Sequence, residues 1–218
     1  MAQYFKIHPV DPQPRLVRQA VEILNDGGVI ALPTDSSYAL ACHLDDRAAV
    51  DRIRRIRGLD ERQMLSLLVR DLSELANFAI VDNQRYRTLK AVTPGPYSFI
   101  LQATKEVPRR LSHPSRKTIG LRVPAHALTL AVLETLGQPL IASTLILPPD
   151  TQPLNDPEEI RARLEKQIDV VIDGGACAAQ PSTVIDLTGP TPILVRAGRG
   201  DLAPFGLSED ALADSAEQ

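Results

Sequence analysis

Short apolar runs alternate with amphipathic segments along most of this chain, and this alternation constrains the fold more than any other feature. Runs of this length, bounded by turn residues, are typical of buried strands. We predict strands at residues 29–32, 65–69, 97–103, 118–123, 140–147, 170–172, 183–187 and 193–195. Strands that alternate with helices favour an α/β domain, and the close spacing of the last strands indicates a mixed sheet. The expected fold is therefore a twisted, open, mixed sheet flanked by helices.

Apolar residues at helical spacing separate these runs. We predict helices at residues 11–26, 46–57, 82–92 and 126–136. A further helix is expected to begin at Asp156, because Pro157 and two acidic residues follow, which is the usual composition of a helix start. Asp45 and Asp46 form an adjacent acid pair, but their place before a predicted helix favours helix capping over acid–base chemistry.

A chain of 218 residues is long enough for one sizeable core, which we place at residues 1–207. Residues 208–218 are acidic and rich in small residues, and we predict a flexible tail. No run approaches the ~18 apolar residues that a membrane span needs, and the first residues do not resemble a signal peptide. Cys42 and Cys177 lie far apart, and the four histidines are scattered. We therefore expect a cytoplasmic protein with no metal site and no membrane partner.

The net charge of −3 hides a segregation of basic and acidic residues. Residues 52–122 contain fifteen Lys or Arg residues and six Asp or Glu residues, so this segment has a charge of +9 and the remainder −12. Most of the basic residues are arginines, whose planar guanidinium suits phosphate and carboxylate groups. The segment could face an anionic ligand, a nucleotide or a nucleic acid. The alternative is a set of solvated helix faces.

A cluster of hydroxyl residues follows the first predicted strand directly. Thr34, Ser36 and Ser37 come after the run 29–32, and small-molecule sites of α/β proteins form at the carboxyl ends of strands. Hydroxyl groups donate hydrogen bonds well to phosphate or carboxylate oxygens. An ordinary strand-end turn would have a similar composition. The segment is therefore a candidate wall of a binding site, with the turn as the alternative.

Hydroxyl groups and arginines recur near the predicted strand ends, whereas the usual catalytic motifs are absent. The sequence has no G-x-S-x-G elbow, no G-x-x-x-x-G-K-[ST] phosphate loop and no G-x-G-x-x-G fingerprint. The candidate residues are Thr34, Ser36, Arg57, Thr118, Arg122, Ser143, Ser182 and Arg196. Such groups bind and orient anions but supply no nucleophile or base, which suits phosphoryl or nucleotidyl transfer.

Five short motifs resemble, in order, those of the YrdC family of threonylcarbamoyl-adenylate synthases. Residues 33–40 (PTDSSYAL) are similar to the family's P-T-[ED]-T-x-Y-G-L segment, and residues 93–96 (TPGP) to its P-G-P turn. Residues 118–124 (TIGLRVP) resemble T-V-G-x-R-x-P. Residues 182–186 (STVID) and 196–198 (RAG) resemble S-T-V-x-D and R-x-G. The resemblance extends from about residue 12 to residue 205, and the YciO branch of the family fits best.

The resemblance implies both a reaction and a set of ligands. The family joins L-threonine, bicarbonate and ATP into threonylcarbamoyl-adenylate and releases pyrophosphate, the first step towards a modified adenosine in tRNA. By position, the residues expected to contact the threonine or its carbamate are Ser36, Arg122, Ser182 and Thr34, and those expected to contact ATP are Arg57, Thr118, Ser143 and Arg196. ATP would come as a substrate with Mg²⁺, and no resident cofactor is implied.

Two polar positions of the family pattern are apolar in this chain. The family's K-x-R corresponds to Arg57, Gly58 and Leu59, and its S-x-N to Ser143, Thr144 and Leu145. Losing a hydrogen bond to a charged group costs about 1.5–3 kcal/mol, so two such losses would reduce synthesis strongly. The leucines could instead define a different pocket. Because some members of the family bind double-stranded RNA, the alternative function is an RNA- or tRNA-binding protein without synthase turnover.

Overall fold

The computed structural model describes residues 1–60, 63, 65–108, 111–113 and 115–208. The strands are β1 (Gln3–Lys6), β2 (Ile30–Leu32), β3 (Ala39–His43), β4 (Ser66–Leu68), β5 (Tyr97–Gln102), β6 (Thr118–Arg122), β7 (Leu140–Thr144), β8 (Val170–Asp173), β9 (Thr183–Asp186) and β10 (Ile193–Arg196). The helices are α1 (Pro14–Asn25), α2 (Arg47–Arg57), α3 (Leu72–Phe78), α4 (Asn83–Val92), α5 (Ala127–Leu136), α6 (Pro157–Leu164) and a 3₁₀ turn at Ala203–Phe205.

The strands of the described residues form one open, mixed sheet in the order β1-β8-β2-β3-β7-β4-β6-β5-β9-β10. Strand β8 runs parallel to both of its neighbours, and the pairs β4–β6 and β5–β9 are also parallel. The remaining pairs, such as β3–β7 and β5–β6, are antiparallel. The predicted α/β domain with a mixed sheet is confirmed.

The helices are divided unequally between the two faces of the sheet. Successive residues of a strand point to opposite faces, so neighbouring residues of one strand show which helices cover each face. On one face, Leu67 and Ile141 belong to a large apolar cluster that includes residues of α2, α3, α4 and α6. On the other face, Leu68 and Leu140 belong to a smaller cluster with α1 and α5. The smaller cluster contains no described residue of β5, β6 or β9. This part of the second face is therefore not covered by α1 and α5.

Local signals at the helix ends explain why several predicted boundaries hold. The Asp46 side chain accepts a hydrogen bond from the Ala49 backbone N–H at 2.8 Å, so the capping prediction is confirmed. Helix α2 ends at Gly58, whose φ of 64° lies in the left-handed region that favours glycine. Asp156 caps α6, and Pro157 occupies its first turn.

The structure differs from the prediction at three elements that local patterns did not indicate: β1, β3 and α3. The predicted strand 140–147 is also too long, because β7 ends at Thr144. Leu145 and Leu147 remain buried beyond that end. Cys42 is fully buried within β3.

Residues 209–218 lie outside the described residues, so the predicted tail and the domain boundary stay predictions. Within the described ranges, no helix combines the length and apolar character that a bilayer span requires.

Candidate functional site

A pocket of about 290 Å³ lies at the border between the part of the second sheet face that α1 and α5 cover and the part that they leave uncovered. Its floor is a row of residues at matching register positions on neighbouring strands. Ala142 on β7 pairs with Ser66 on β4, which pairs with Gly120 on β6. A Cβ atom at Gly120 would lie 2.8 Å from the Ser66 hydroxyl oxygen, so a larger residue would displace that group. The pocket owes its depth to these small side chains.

More than half of the residues that line the pocket are polar. Three arginines line it: Arg57, Arg122 and Arg196. The hydroxyl residues that line it are Ser37, Ser66, Ser98, Ser143, Thr144 and Ser182. No Asp or Glu occurs among the described residues that line the pocket. This composition suits an anionic ligand that also offers hydrogen-bond acceptors.

Arg122 is the most enclosed of the three arginines, with 4% of its surface exposed. Its Nη2 atom donates to Thr34 Oγ1 at 3.1 Å and to Ser36 Oγ at 2.9 Å, and it forms an ion pair with Asp35. The Nε atom is buried and has no hydrogen-bond partner among the described residues. The guanidinium is therefore fixed through one nitrogen, and its buried Nε donor is left unsatisfied among the described residues.

Thr34 organises the turn that holds Arg122. Its hydroxyl donates to the Ser37 carbonyl at 2.6 Å and accepts from the Ser36 and Ser37 backbone N–H groups at 3.2 and 3.3 Å. Because Thr34 is 2% exposed and its hydroxyl also accepts from Arg122, it lies behind the pocket wall. The hydroxyl turn formed by residues 34–37 is thus a strand-end turn that also supports an arginine.

A second arginine is held by backbone and hydroxyl oxygens instead of a carboxylate. Arg196 donates from Nε and Nη2 to the Ser182 carbonyl at 3.2 and 2.9 Å, and from Nη2 to the Ser182 hydroxyl at 3.3 Å. The Ser182 hydroxyl is in turn 2.8 Å from the Ser98 hydroxyl. Burial and the nearby charge of Arg122 lower the pKa of Arg196.

Arg57, the third arginine, reaches the pocket from the end of α2. Its Nε atom donates to the Ser143 hydroxyl at 3.1 Å. Burial, together with the charge of Arg196, lowers the pKa of Arg57 to about 10. The group therefore keeps its proton at neutral pH, although its charge is poorly compensated. A bound anion would relieve this repulsion, so the pocket has an electrostatic preference for anions.

Five of the eight predicted site residues line this pocket: Arg57, Arg122, Ser143, Ser182 and Arg196. Thr34 and Ser36 do not line it but hold Arg122 from behind. Thr118 is buried at the start of β6 and also lies outside the lining. The binding roles assigned to these eight residues stay predictions.

The two leucines that depart from the family pattern have different environments. Leu59 lines the pocket. Leu145 is fully buried in the large apolar cluster, where its backbone N–H donates to the Tyr38 carbonyl at 2.9 Å. Only the substitution at position 59 therefore changes the pocket surface directly.

Several lining residues were not identified from the sequence. Ser98, Ser66 and Gln63 face the pocket, and Asp35 contacts it through Arg122. Ser98 follows the P-G-P turn closely, which could have marked it as a candidate. Ser66 could only be found from strand register, because it belongs to an apolar strand without any local polar motif.

Neither cysteine offers a reactive thiolate. Cys42 is fully buried, and burial raises the pKa of the half-buried Cys177 to about 11. Among the described residues, no group of three His, Cys, Asp or Glu side chains is arranged to hold a metal ion. The arginines and hydroxyl groups of the pocket can bind and orient a ligand and stabilise its charge.

Much of the basic segment 52–122 forms intramolecular contacts. Arg52 pairs with Asp169, and Arg85 pairs with Asp82. Arg54 donates to two backbone carbonyls of the following loop at 2.6 and 2.8 Å. These arginines are thus engaged in structural contacts, and the binding of RNA or tRNA stays a prediction.

Comparison with known proteins identifies relatives over nearly the whole chain. The family model Sua5_yciO_yrdC, described as telomere recombination, matches residues 22–198. The YciO protein of Escherichia coli (strain K12) is 53% identical over 205 residues, which cover 94% of this chain and 100% of that protein. Its crystal structure matches with a TM-score of 0.92 over the same shares of the two chains.

More distant relatives carry a functional name. A threonylcarbamoyl-AMP synthase of Halorhodospira halophila is 32% identical over 186 residues, 85% of this chain and 92% of that protein. The structure of P. abyssi Sua5 complexed with L-threonine matches with a TM-score of 0.82 and 25% identity. This match covers 89% of this chain and 57% of that protein.

Proposed function

Because this chain belongs to the Sua5/YciO/YrdC family, we propose that it is a nucleotidyl-transferring enzyme that forms an acyl-adenylate from ATP and the carbamate of an amino acid. The proposed reaction is the synthesis of threonylcarbamoyl-adenylate from ATP, L-threonine and bicarbonate. The observation that carries the proposal is a pocket with three arginines, of which only Arg122 pairs with a carboxylate among the described residues. The excess positive charge supports a polyanionic substrate.

The proposed chemistry needs no protein nucleophile. The threonine amine and bicarbonate combine to a carbamate with loss of water. A carbamate oxygen then attacks the α-phosphorus of ATP, the bond from this phosphorus to the bridging oxygen breaks, and pyrophosphate leaves. Mg²⁺ would enter with the ATP. Positioning of the reactants and neutralisation of phosphate charge are the contributions that these arginines and hydroxyl groups can make.

Within this proposal the arginines have different partners. Arg122 would bind the amino-acid carboxylate, because it lines the pocket and its guanidinium is fixed through Nη2. Arg57 and Arg196 would bind phosphate oxygens, since neither forms a salt bridge among the described residues. The Ser143 and Ser182 hydroxyls, which accept from these two arginines, would orient them.

Leu59 supports a slower or altered reaction compared with relatives that have arginine there. It places an apolar side chain in the pocket wall near Arg57, where the family pattern has a cation. One charge-assisted hydrogen bond is worth about 1.5–3 kcal/mol, so its loss would reduce transition-state stabilisation by roughly ten- to a hundredfold.

The test is pyrophosphate release measured with ATP, bicarbonate and L-threonine together and with each omitted in turn. We expect release that requires all three, and its loss in Arg122→Ala. Arg163→Ala is the matched control, because Arg163 forms ion pairs with Asp150 and Glu159 on the protein surface and does not line the pocket. Release at background level by the wild-type protein, with threonine and with every other amino acid, would refute the proposal.

A further inference from the structure

Asp35 is the carboxylate that pairs with a pocket arginine in the described part of the chain, although it does not line the pocket itself. Its side chain is 10% exposed and forms an ion pair with Arg122 Nη2. Neither the chemistry of the proposed reaction nor the motif comparison assigned a role to this residue. Its position indicates a role in ligand affinity, because a buried carboxylate beside an anion site opposes the binding of anions.

The contacts of Asp35 show that it cannot easily swing into the pocket. One carboxylate oxygen is paired with Arg122, and the other accepts a hydrogen bond from the Ala125 backbone N–H at 3.1 Å. Its backbone carbonyl accepts a hydrogen bond from Arg199 Nη1 at 2.7 Å. Both carboxylate oxygens and the backbone are therefore engaged. Asp35 can therefore reach a ligand by contact only through Arg122, and otherwise acts on it through its negative charge.

Arg122 depends on Asp35 for its orientation. The hydrogen bonds that the described residues accept from this guanidinium all use Nη2, and two of its three partners are neutral hydroxyls. The charged partner fixes the direction of the planar group more strongly than a hydroxyl can. The charge of Arg122 contributes, with burial, to lowering the pKa of Arg196, so a carboxylate partner for Arg122 reduces the net positive charge of the pocket.

We propose that Asp35 is a positioning residue with two opposed effects: it orients Arg122 for the carboxylate of the amino-acid substrate, and it limits the affinity of the pocket for phosphate groups. This inference rests on the proposed function for the identity of the ligands. It explains why one pocket arginine has a carboxylate partner while Arg57 and Arg196 have none among the described residues. An amino acid bound through one carboxylate needs precise geometry, whereas a polyphosphate needs net positive charge.

The experiment measures binding of two probes, L-threonine and inorganic pyrophosphate, by calorimetry in the wild type and in Asp35→Asn. We expect L-threonine to bind about tenfold more weakly in the variant, because Arg122 loses its fixed orientation. Pyrophosphate should bind about two- to fivefold more tightly, because the pocket gains one unit of positive charge. A purely structural role would weaken both ligands together, so the opposite signs are the diagnostic result.

Two further variants keep the test decisive. Asp35→Glu retains the charge but lengthens the side chain, so we expect wild-type pyrophosphate affinity with a smaller loss of threonine affinity. This variant decides the question if Asp35→Asn does not fold. Asp82→Asn is the matched control, because the Asp82 carboxylate also accepts a backbone hydrogen bond and pairs with an arginine, and it does not line this pocket.

The outcomes distinguish the role proposed for Asp35 from the proposed reaction. Equal threonine affinity in wild type and Asp35→Asn, or weaker pyrophosphate binding in the variant, overturns the role of Asp35. Binding of both probes by the wild type without any pyrophosphate release from ATP overturns only the proposed reaction. Failure of the wild type to bind either probe overturns both.

Discussion

The region around Arg122 and the region around Arg57 belong to the same pocket but are stabilised in different ways. Arg122 contacts two hydroxyls and a carboxylate and is almost entirely buried. Arg57 contacts one hydroxyl, borders Leu59, and has its pKa lowered to about 10 by burial and by Arg196. The first region is organised before any ligand arrives. The second has unbalanced charge that a ligand would compensate, so the two regions should respond differently to substitution.

The largest effect is expected from Arg122→Lys. Lysine keeps the charge but cannot reproduce a planar group that contacts Thr34, Ser36 and Asp35 at once. We expect kcat/KM for threonine-dependent pyrophosphate release to fall about a thousandfold, with a much smaller effect from Arg57→Lys. Steady-state kinetics of both variants test this difference. Equal losses would show that the Arg122 region is not the more organised of the two.

Leu145→Asn tests whether the second leucine belongs to the pocket or to the core. Because Leu145 is fully buried, asparagine would lose apolar contacts and bury an amide without an assured partner. We expect the free energy of unfolding to fall by about 3 kcal/mol in urea titrations, with no gain of activity. Wild-type stability together with faster turnover would instead place this residue in the site.

Leu59→Arg should sharpen the comparison in the opposite direction, because it adds a cation to the less organised region. The side chain at position 59 lines the pocket next to Arg57. A new hydrogen bond to a phosphate oxygen would raise kcat/KM for ATP by about tenfold. The size-matched control is Leu59→Met, which should leave this constant unchanged. A similar gain in both variants would mean that shape, not charge, limits the reaction.

A pH dependence is expected at the Arg57 region. Arg57 is protonated below its pKa of about 10, and a bound anion favours the protonated form. Pyrophosphate affinity should therefore be complete below pH of about 10 and weaken by about fivefold as the pH rises beyond that value. Calorimetry in wild type and in Arg57→Gln measures the change. An equal decline in the variant would assign the dependence to other groups.

The smallest effect is expected from Ser98→Ala. Ser98 lines the pocket but is linked to Arg196 only through the Ser182 hydroxyl, so its substitution removes a partner of Ser182 and leaves the three arginines in place. We expect KM for ATP to rise about threefold, and Ser98→Thr to restore the wild-type value. Kinetics of the two variants decide the point. A loss that threonine does not rescue would indicate a packing defect and not a lost hydroxyl.

Local sequence patterns predicted the strands that carry continuous apolar runs and the helices that carry clear caps. They did not predict β3, because Ala39, Ala41 and Cys42 are small residues with little strand preference of their own. This strand forms because it lies between β2 and β7. The short edge strand β1 and the seven-residue helix α3 carry too few residues for a periodic signal.

The site was predictable to the extent that its residues occur in short motifs. Arg122 and Ser182 belong to such motifs, and both line the pocket. Asp35 lies within the hydroxyl turn, but only the fold shows that it pairs with an arginine 87 positions away. Leu59 lines the pocket, whereas Leu145 is buried in the large apolar cluster. Only tertiary packing shows this difference, since both leucines stand where a family motif has a polar residue.

The floor of the pocket has a consequence for how the protein acquires its binding capacity during folding. Ser66, Gly120 and Ala142 are brought together by pairing strands that are far apart along the chain, and Arg196 completes the wall from β10. A partly folded chain therefore cannot hold a ligand, because loop closure between all these segments must come first. Ligand binding and global folding are thermodynamically coupled. A saturating anion should protect backbone amides from hydrogen exchange throughout the sheet and not only around the pocket.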